Sequence, residues 1–325
     1  MLGGGISPAD VAKETARAIE WVMTHPIDMA WLKEEASRRI AAATGAEAGC
    51  VTTGAAAGIA LSVAACIGER DGVALQAGHD IDFGAPVVTM VELGGGSPIL
   101  AGTTERITAG DLDIALTNAA ALLFIQSHHV HAVDRVSLAE CLDLTHARGI
   151  PVILDAAAEE DLRMYIAMGV DLVIYSGGKA LGALSSSGFV AGRADLIAAV
   201  RAQERGIGRA MKVGPEQLAS ICIALDFHGS AHHDDTAVLR VLSEGTASLT
   251  GATFAIIPDE AGRAIQRLEV RTPDAIGLAR RLREHTPPIY VRAHHAAEGR
   301  IAIDPRNLTV EDAGVVVGAL RELLG

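Results

Sequence analysis

The chain has 325 residues, half of them apolar, and carries 27 Lys and Arg against 40 Asp and Glu, a formal net charge of −13. That length suggests about two domains and a large buried core, and the composition excludes extended disorder. The acidic balance and the 3% aromatic content argue against a nucleic-acid partner, which needs clustered cations or stacking platforms.

The longest nearly uncharged run, Gly54 to Gly68, is shorter than the roughly 20 residues that span a bilayer. The first residues show no basic stretch leading into an apolar one, so neither a signal peptide nor a membrane partner is expected. The cysteines Cys50, Cys66, Cys141 and Cys222 never pair as CxxC, the pattern of a reduced, cytoplasmic protein without disulfides or a zinc knuckle.

In chain order, Ser7 as N-cap and Pro8 as first helical residue start a helix running to about Met23. A second helix covers Met29 to Thr44 and stops at Gly45. Gly49 to Thr52 is a strand, followed by a small-residue turn and a long apolar helix. Val87 to Leu93 reads as a strand, and so does Leu122 to Ser127. Leu138 to Arg148 is a helix closed by Gly149, Pro151 to Leu154 a buried strand ending in Asp155, and Leu162 to Met168 a short helix. Leu172 to Tyr175 and Gly188 to Ala191 are strands, and Leu196 to Asp226 is mostly helical. Further on, Phe254 to Pro258, Gln266 to Thr272, Ile289 to Arg292 and Arg300 to Asp304 are short strand candidates ahead of a final helix, Leu308 to Leu324. Strands alternating with helices imply an α/β, mostly parallel, doubly wound sheet. The expected organisation is a helical segment over 1–44, a large domain over 45–245 and a small α+β domain over 246–325.

In such a sheet, ligands bind beyond the carboxyl ends of the strands. The polar residues that interrupt the apolar strands there are Thr52-Thr53-Gly54, Ser127-His128, Asp155 and Ser176-Gly177-Gly178-Lys179. Lys179 follows a strand in a glycine turn. It is either an exposed turn lysine or a partly desolvated amine suited to Schiff-base chemistry. Asp155 is either an N-cap for the following helix or the carboxylate that keeps a pyridine nitrogen protonated. It precedes Lys179 by 24 residues, one strand–helix–strand unit. The Thr52–Ala56 turn can cradle a phosphate at a helix N-terminus or be an ordinary tight turn. It is no Walker loop, and no GxGxxG appears in a βαβ setting. The histidines at 128, 129, 131, 232, 233, 294 and 295 match no structural zinc spacing, so no metal is expected. His79 is a loop histidine or a ring-stacking residue. Arg209 and Lys212, in a glycine-flanked stretch, and Arg292 are candidates for anion binding.

The stretches Leu154–Leu162 and Gly169–Ala180 together resemble the selenocysteine-synthase-like group of fold type I pyridoxal phosphate enzymes. Val51–Gly58, Gly206–Gly214 and Pro287–Arg292 extend the likeness over nearly the whole chain. Within that group, the D-glucosaminate-6-phosphate ammonia-lyases are most similar. The resemblance implies an aspartate-aminotransferase-like large domain, a small α+β C-terminal domain and pyridoxal 5'-phosphate as cofactor. It implies Lys179 as the lysine bonded to the cofactor, Asp155 on the pyridine nitrogen, and Thr53, Gly54, Ala55 and Ser176 on the phosphate, with Ser127 in the same set. His79 would stack on the ring, and His128 would protonate the leaving hydroxyl. Arg292 would face the substrate carboxylate, and Arg209 and Lys212 its phosphate, across a dimer or higher homo-oligomer. The implied reaction is α,β-elimination on a hydroxy amino acid or amino sugar acid, yielding a 2-keto-3-deoxy acid and ammonia. Aldol cleavage, racemisation and selenium transfer onto a seryl-tRNA are the alternatives on the same cofactor, and a cofactor-binding scaffold is the non-enzymatic one. The chain departs from the group at its start, Met1-Leu-Gly-Gly-Gly, where a longer segment is usual. It departs again at Leu181–Gly188, where a Glu-Gly-Pro-containing turn is common. Both departures bear on the substrate more than on the cofactor.

Overall fold

The structure is a computed structural model that describes residues 8–82, 84, 86–127, 130, 134–228, 235–258 and 265–325. The chain opens with α1 (Pro8–Thr24) and α2 (Met29–Thr44). Asp28 caps α2 through its side chain, and Gly45 closes it at φ 76°, as both residue types favour. There follow β1 (Ala48–Thr52), α3 (Ala55–Cys66), β2 (Gly72–Gln76), α4 (Val87–Leu93), β3 (Ser97–Ala101), α5 (Ala109–Leu116) and β4 (Ala119–Ile125). Next come α6 (Leu138–His146), β5 (Val152–Asp155), α7 (Met164–Ala167), β6 (Leu172–Ser176), β7 (Gly188–Gly192), α8 (Ala194–Ala202) and α9 (Pro215–Phe227). The remainder holds α10 (Asp235–Thr246), β8 (Thr253–Pro258), β9 (Gln266–Arg271), α11 (Ala275–Glu284), β10 (Arg300–Ile303) and α12 (Val310–Leu324).

The large sheet has the order β1-β7-β6-β5-β4-β2-β3. Only β7 runs antiparallel to its neighbours; the other pairings are parallel. Its strands read as near-continuous apolar runs because both faces are covered. One face carries Leu122, Phe124, Leu154, Val173, Tyr175 and Phe189 in a core shared with α2, α5, α6 and α9. The alternating residues Leu123, Ile125, Ile153, Leu172, Ile174 and Val190 pack on the other face with α3, α4 and α8. At the amino ends of these strands, buried Asp171 ties four elements together. It accepts from the Val152 amide at 2.8 Å and from Arg193 Nη1 at 3.1 Å, and it pairs with His146 Nε2 at 3.0 Å.

Contacts divide the chain into two compact units, with the break near residue 232. The smaller unit is a three-stranded antiparallel sheet, β10-β9-β8, covered on one face by α10, α11 and α12.

Two expected strands are absent. Val87–Leu93 is the helix α4: Val87 and Val91, one turn apart, are both buried, and Asp80 Oδ1 accepts the Val88 amide at 3.1 Å. A cap supplied from outside the segment overrides the β preference of its valines. Ile289–Arg292 forms no strand either. Pro287 and Pro288 offer no backbone donors, and the Ile289 amide donates to Leu282 at the end of α11. Only Arg292 makes a bridge, to Ala302. The strands β2 and β3 were not anticipated at all.

Candidate active site

The carboxyl ends of the parallel strands form one row, and the sheet register places the sequence-derived residues along it. Thr52 ends β1 and Ser176 ends β6, each opposite Gly188, the first residue of the intervening β7. The two strand ends are therefore about 10 Å apart. Asp155 ends β5 between Ile174 of β6 and Ile125 of β4. His79 follows β2, and Ser127 lies two residues beyond β4.

This crowding depends on glycine. A Cβ at Gly188 would lie 2.6 Å from the Tyr175 carbonyl oxygen and 3.0 Å from the Gly54 carbonyl carbon. A Cβ at Gly177 would lie 2.2 Å from Ser187 Oγ. The Lys179 turn is pinned by backbone bonds from the Gly177 amide to Ser187, from Gly182 to Lys179 and from Ala183 to Gly177. Lys179 itself is exposed. Gly188 and Ser187 were missed from the sequence, although a glycine opening an apolar strand was the available signal for close backbone approach.

Asp155 is half-buried and accepts the Ala157 amide at 3.0 Å. Burial pushes its carboxyl up to about 6, against the pull of the nearby Lys179 charge and of the Ala157 bond. At β1, Gly54 takes φ 129°, reserved in practice for glycine, and precedes α3 without any side-chain cap. Within 4 Å of its would-be Cβ there is open space, and among the described residues no side chain caps the start of α3, which leaves its first-turn amides as donors for an outside acceptor. Thr53 is half-buried beside them, while the Thr52 hydroxyl turns back to the Gly54 carbonyl at 2.9 Å.

His79 is wholly buried, its ring edge-on to Phe124. His128 lies outside the described residues. Arg209 and Lys212 are exposed in the connection before α9; the adjoining Gly208 lies against Leu61, midway along α3. No described contact brings this pair to the Lys179 turn. Arg292 belongs to the smaller unit, where its guanidinium lies 3.8 Å from Asp304, a carboxylate also held by Arg267 and Arg306.

The four thiols, raised by burial to about 11 or 12, stay protonated at neutral pH, so none competes with Lys179 as a nucleophile. Among the described residues, no group of three His, Cys, Asp or Glu could hold a metal ion, and no helix is long and apolar enough to cross a membrane.

An amine, a neighbouring carboxylate, a serine hydroxyl and an uncapped helix start are the donor set that fits a phosphate-bearing pyridine aldehyde. The comparisons agree. The L-seryl-tRNA selenium transferase family matches residues 31–279. The chain belongs to that family. It is 36% identical to the D-glucosaminate-6-phosphate ammonia lyase of Salmonella typhimurium, over 97% of this chain and 91% of that protein. It is 37% identical to the 5'-C-glycyluridine monooxygenase-decarboxylase of a Streptomyces species, over 92% and 82%. A solved structure of D-glucosaminate-6-phosphate ammonia-lyase superposes with a TM-score of 0.87 at 35% identity, covering 99% of this chain and 92% of that one. The ureidoglycine-glyoxylate aminotransferase of Bacillus subtilis, at 13% identity and a TM-score of 0.66, shares the fold alone. The fold is that of the fold type I pyridoxal phosphate enzymes, and the chain is an enzyme of that class.

Proposed function

We propose that this enzyme uses pyridoxal 5'-phosphate to eliminate water and ammonia from a β-hydroxy amino acid, with D-glucosaminate 6-phosphate as the first candidate substrate. The reading rests on one observation: Lys179 and Asp155 stand at the carboxyl ends of adjacent strands, close enough for the lysine's charge to act on the carboxyl.

When bound, the cofactor supplies a protonated pyridine ring that takes up negative charge from the substrate α-carbon. Asp155 is placed to keep that ring nitrogen protonated. The open first turn of α3, with Thr53, Gly54 and Ala55, and the Ser176 hydroxyl hold the phosphate. Ser127 completes this set. Lys179 would anchor the cofactor through Nζ, and its free amine would take the proton from the substrate Cα. The β-hydroxyl leaves as water with a proton that we assign to His128. One water returns in hydrolysis, so the net change is hydroxy amino acid to 2-keto-3-deoxy acid plus ammonia. Arg292 receives the substrate carboxylate, and Arg209 and Lys212 receive a substrate phosphate in a homodimer or higher homo-oligomer. The protein acts in the cytoplasm.

The test is direct. Purified protein loaded with the cofactor should be yellow, and borohydride should leave a pyridoxyl group on the Lys179 peptide. Lys179→Ala is expected to lower ammonia release from D-glucosaminate 6-phosphate at least about 10³-fold. Undiminished turnover by that variant would overturn the assignment. The 37% identity to a monooxygenase-decarboxylase supports a second reading, oxygen-dependent loss of the substrate carboxyl group. Dioxygen uptake in place of ammonia release would favour it.

A further inference from the structure

The turn that carries Lys179 joins β6 to β7, and Ser176 opposite Gly188 is the last pair of the two strands. Beyond that pair the turn closes on itself. The Gly177 amide donates to Ser187 at 2.8 Å, and the Ala183 amide donates to Gly177 at 2.7 Å. No proline stiffens Leu181–Gly188, and two of its residues are glycines, so the backbone there owes its shape to its hydrogen bonds. Both backbone groups of Leu184, at the far side of the turn, are held by serine hydroxyls. Ser220 Oγ, on α9, accepts the Leu184 amide at 2.8 Å. Ser187 Oγ donates to the Leu184 carbonyl at 2.7 Å, beside the Ser187 amide at 3.0 Å. Both serines are wholly buried, where a hydroxyl is costly unless its bonds are made. The corner they hold lies against the lysine: a Cβ on Gly178, the residue before Lys179, would lie 2.5 Å from Ser185 Cα. α9 meets the turn a second time, since Ile221 Cδ1 would lie 3.1 Å from a Cβ on Gly177. A lysine amine rides on a flexible four-carbon stem, so the backbone beneath it sets its aim. A misplacement of about 1 Å can cost roughly 10²-fold in rate.

We infer that Ser220 and Ser187 are positioning residues for Lys179: their hydroxyls grip Leu184 at both backbone groups and hold the turn from which the lysine amine meets the cofactor. Both act through the backbone of the turn. The inference rests on the assignment of Lys179 made above.

Three substitutions test it. Ser220→Ala removes the acceptor and Ser187→Ala the donor. Ala224→Gly weakens α9 one turn further on and serves as the stability control. In the ligand-free proteins, exchange of the Leu184 amide is followed by NMR and thermal midpoints by melting. On addition of pyridoxal phosphate, uptake is followed by absorbance, with borohydride marking the lysine that carries it. The Leu184 amide should be protected in the wild type and exchange at least about fivefold faster in Ser220→Ala. Both serine variants should take up pyridoxal phosphate at least about tenfold more slowly than the wild type, with the label still on Lys179. Ala224→Gly should melt at least as low as Ser220→Ala yet keep the wild-type uptake rate. In turnover of D-glucosaminate 6-phosphate, the loss in the serine variants should fall on kcat and leave KM within about twofold. Unslowed uptake by Ser220→Ala, or equal slowing in Ala224→Gly, would overturn the inference. Should the serine variants fail to fold, the wild type decides: a Leu184 amide that exchanges as fast as in an unstructured chain overturns it, and a protected one upholds it. A wild type that takes up no pyridoxal phosphate, or is labelled instead on Lys13, Lys33 or Lys212, refutes the assignment of Lys179 and the inference together. A labelled Lys179 with unslowed serine variants refutes the inference alone.

Discussion

Asp155 carries a cost that the ligand-free protein does not recover. Its folded carboxyl titrates near 6, against an ordinary value of 3.8. Between those values the unfolded chain gives up the proton while the folded chain keeps it, so stability falls as pH rises through that window and the loss is complete above it. Asp155→Asn is therefore expected to raise the stability of ligand-free protein above pH 6 by something of the order of 2 kcal/mol, and not below about pH 4. The same change should weaken cofactor binding. Urea denaturation at both pH values checks this, and a destabilised variant at pH 8 would contradict it. His79 works in the opposite sense. Its depressed folded value of about 3, from an ordinary 6.5, contributes stability that is present above about 6.5 and lost as pH falls toward 3. Asp155 was legible as a candidate from its position after an apolar strand, whereas His79 was legible only as a loop or ring-stacking histidine, because β2 was not anticipated. The tautomer of His79 was not legible either, because its Nδ1 accepts the amide of Ile125, 46 residues away.

Among the elements, the β6–β7–β1 junction is the least forgiving. Gly188→Ala would press a methyl group into the Tyr175 carbonyl and the Gly54 backbone at once, and both are backbone atoms that cannot rotate away. We expect about 2–3 kcal/mol of destabilisation by chemical denaturation, with cofactor binding weakened because Gly54 leads into α3. A neutral effect would mean that the junction is looser than these distances imply. Element types followed the sequence at α2 and α6, and at α1 from Pro8 onward, its expected cap Ser7 lying outside the described residues. They departed from it at α4, whose Val88 amide is served by Asp80 from outside the helix. They departed again at Ile289–Arg292, where a single bridge is all that forms.

At the scale of the whole molecule, charge separates this chain from what its family name suggests. A net charge of −13 opposes approach to a phosphate backbone. The protein is therefore predicted not to retain tRNA at physiological salt in a gel-shift assay. Retention at micromolar protein would favour transfer onto an aminoacyl-tRNA over elimination from a small substrate. Of the cations assigned to substrate anions, Arg292 belongs to the smaller unit, and Arg209 and Lys212 are exposed residues of the larger one.

By itself the sequence determined the α/β class, most element positions, and the strand-end residues Asp155, Ser176 and Lys179. Buried parallel strands must be apolar, and polar residues that interrupt them fall at their ends. The tertiary structure decided which strand ends are neighbours, where glycine is obligatory for close approach, and that Asp155 is pushed up while His79 is pushed down. Those properties arise from strand order and burial, which bring together residues such as Gly54 and Gly188 that lie 134 positions apart. No local pattern in the chain encodes such a meeting.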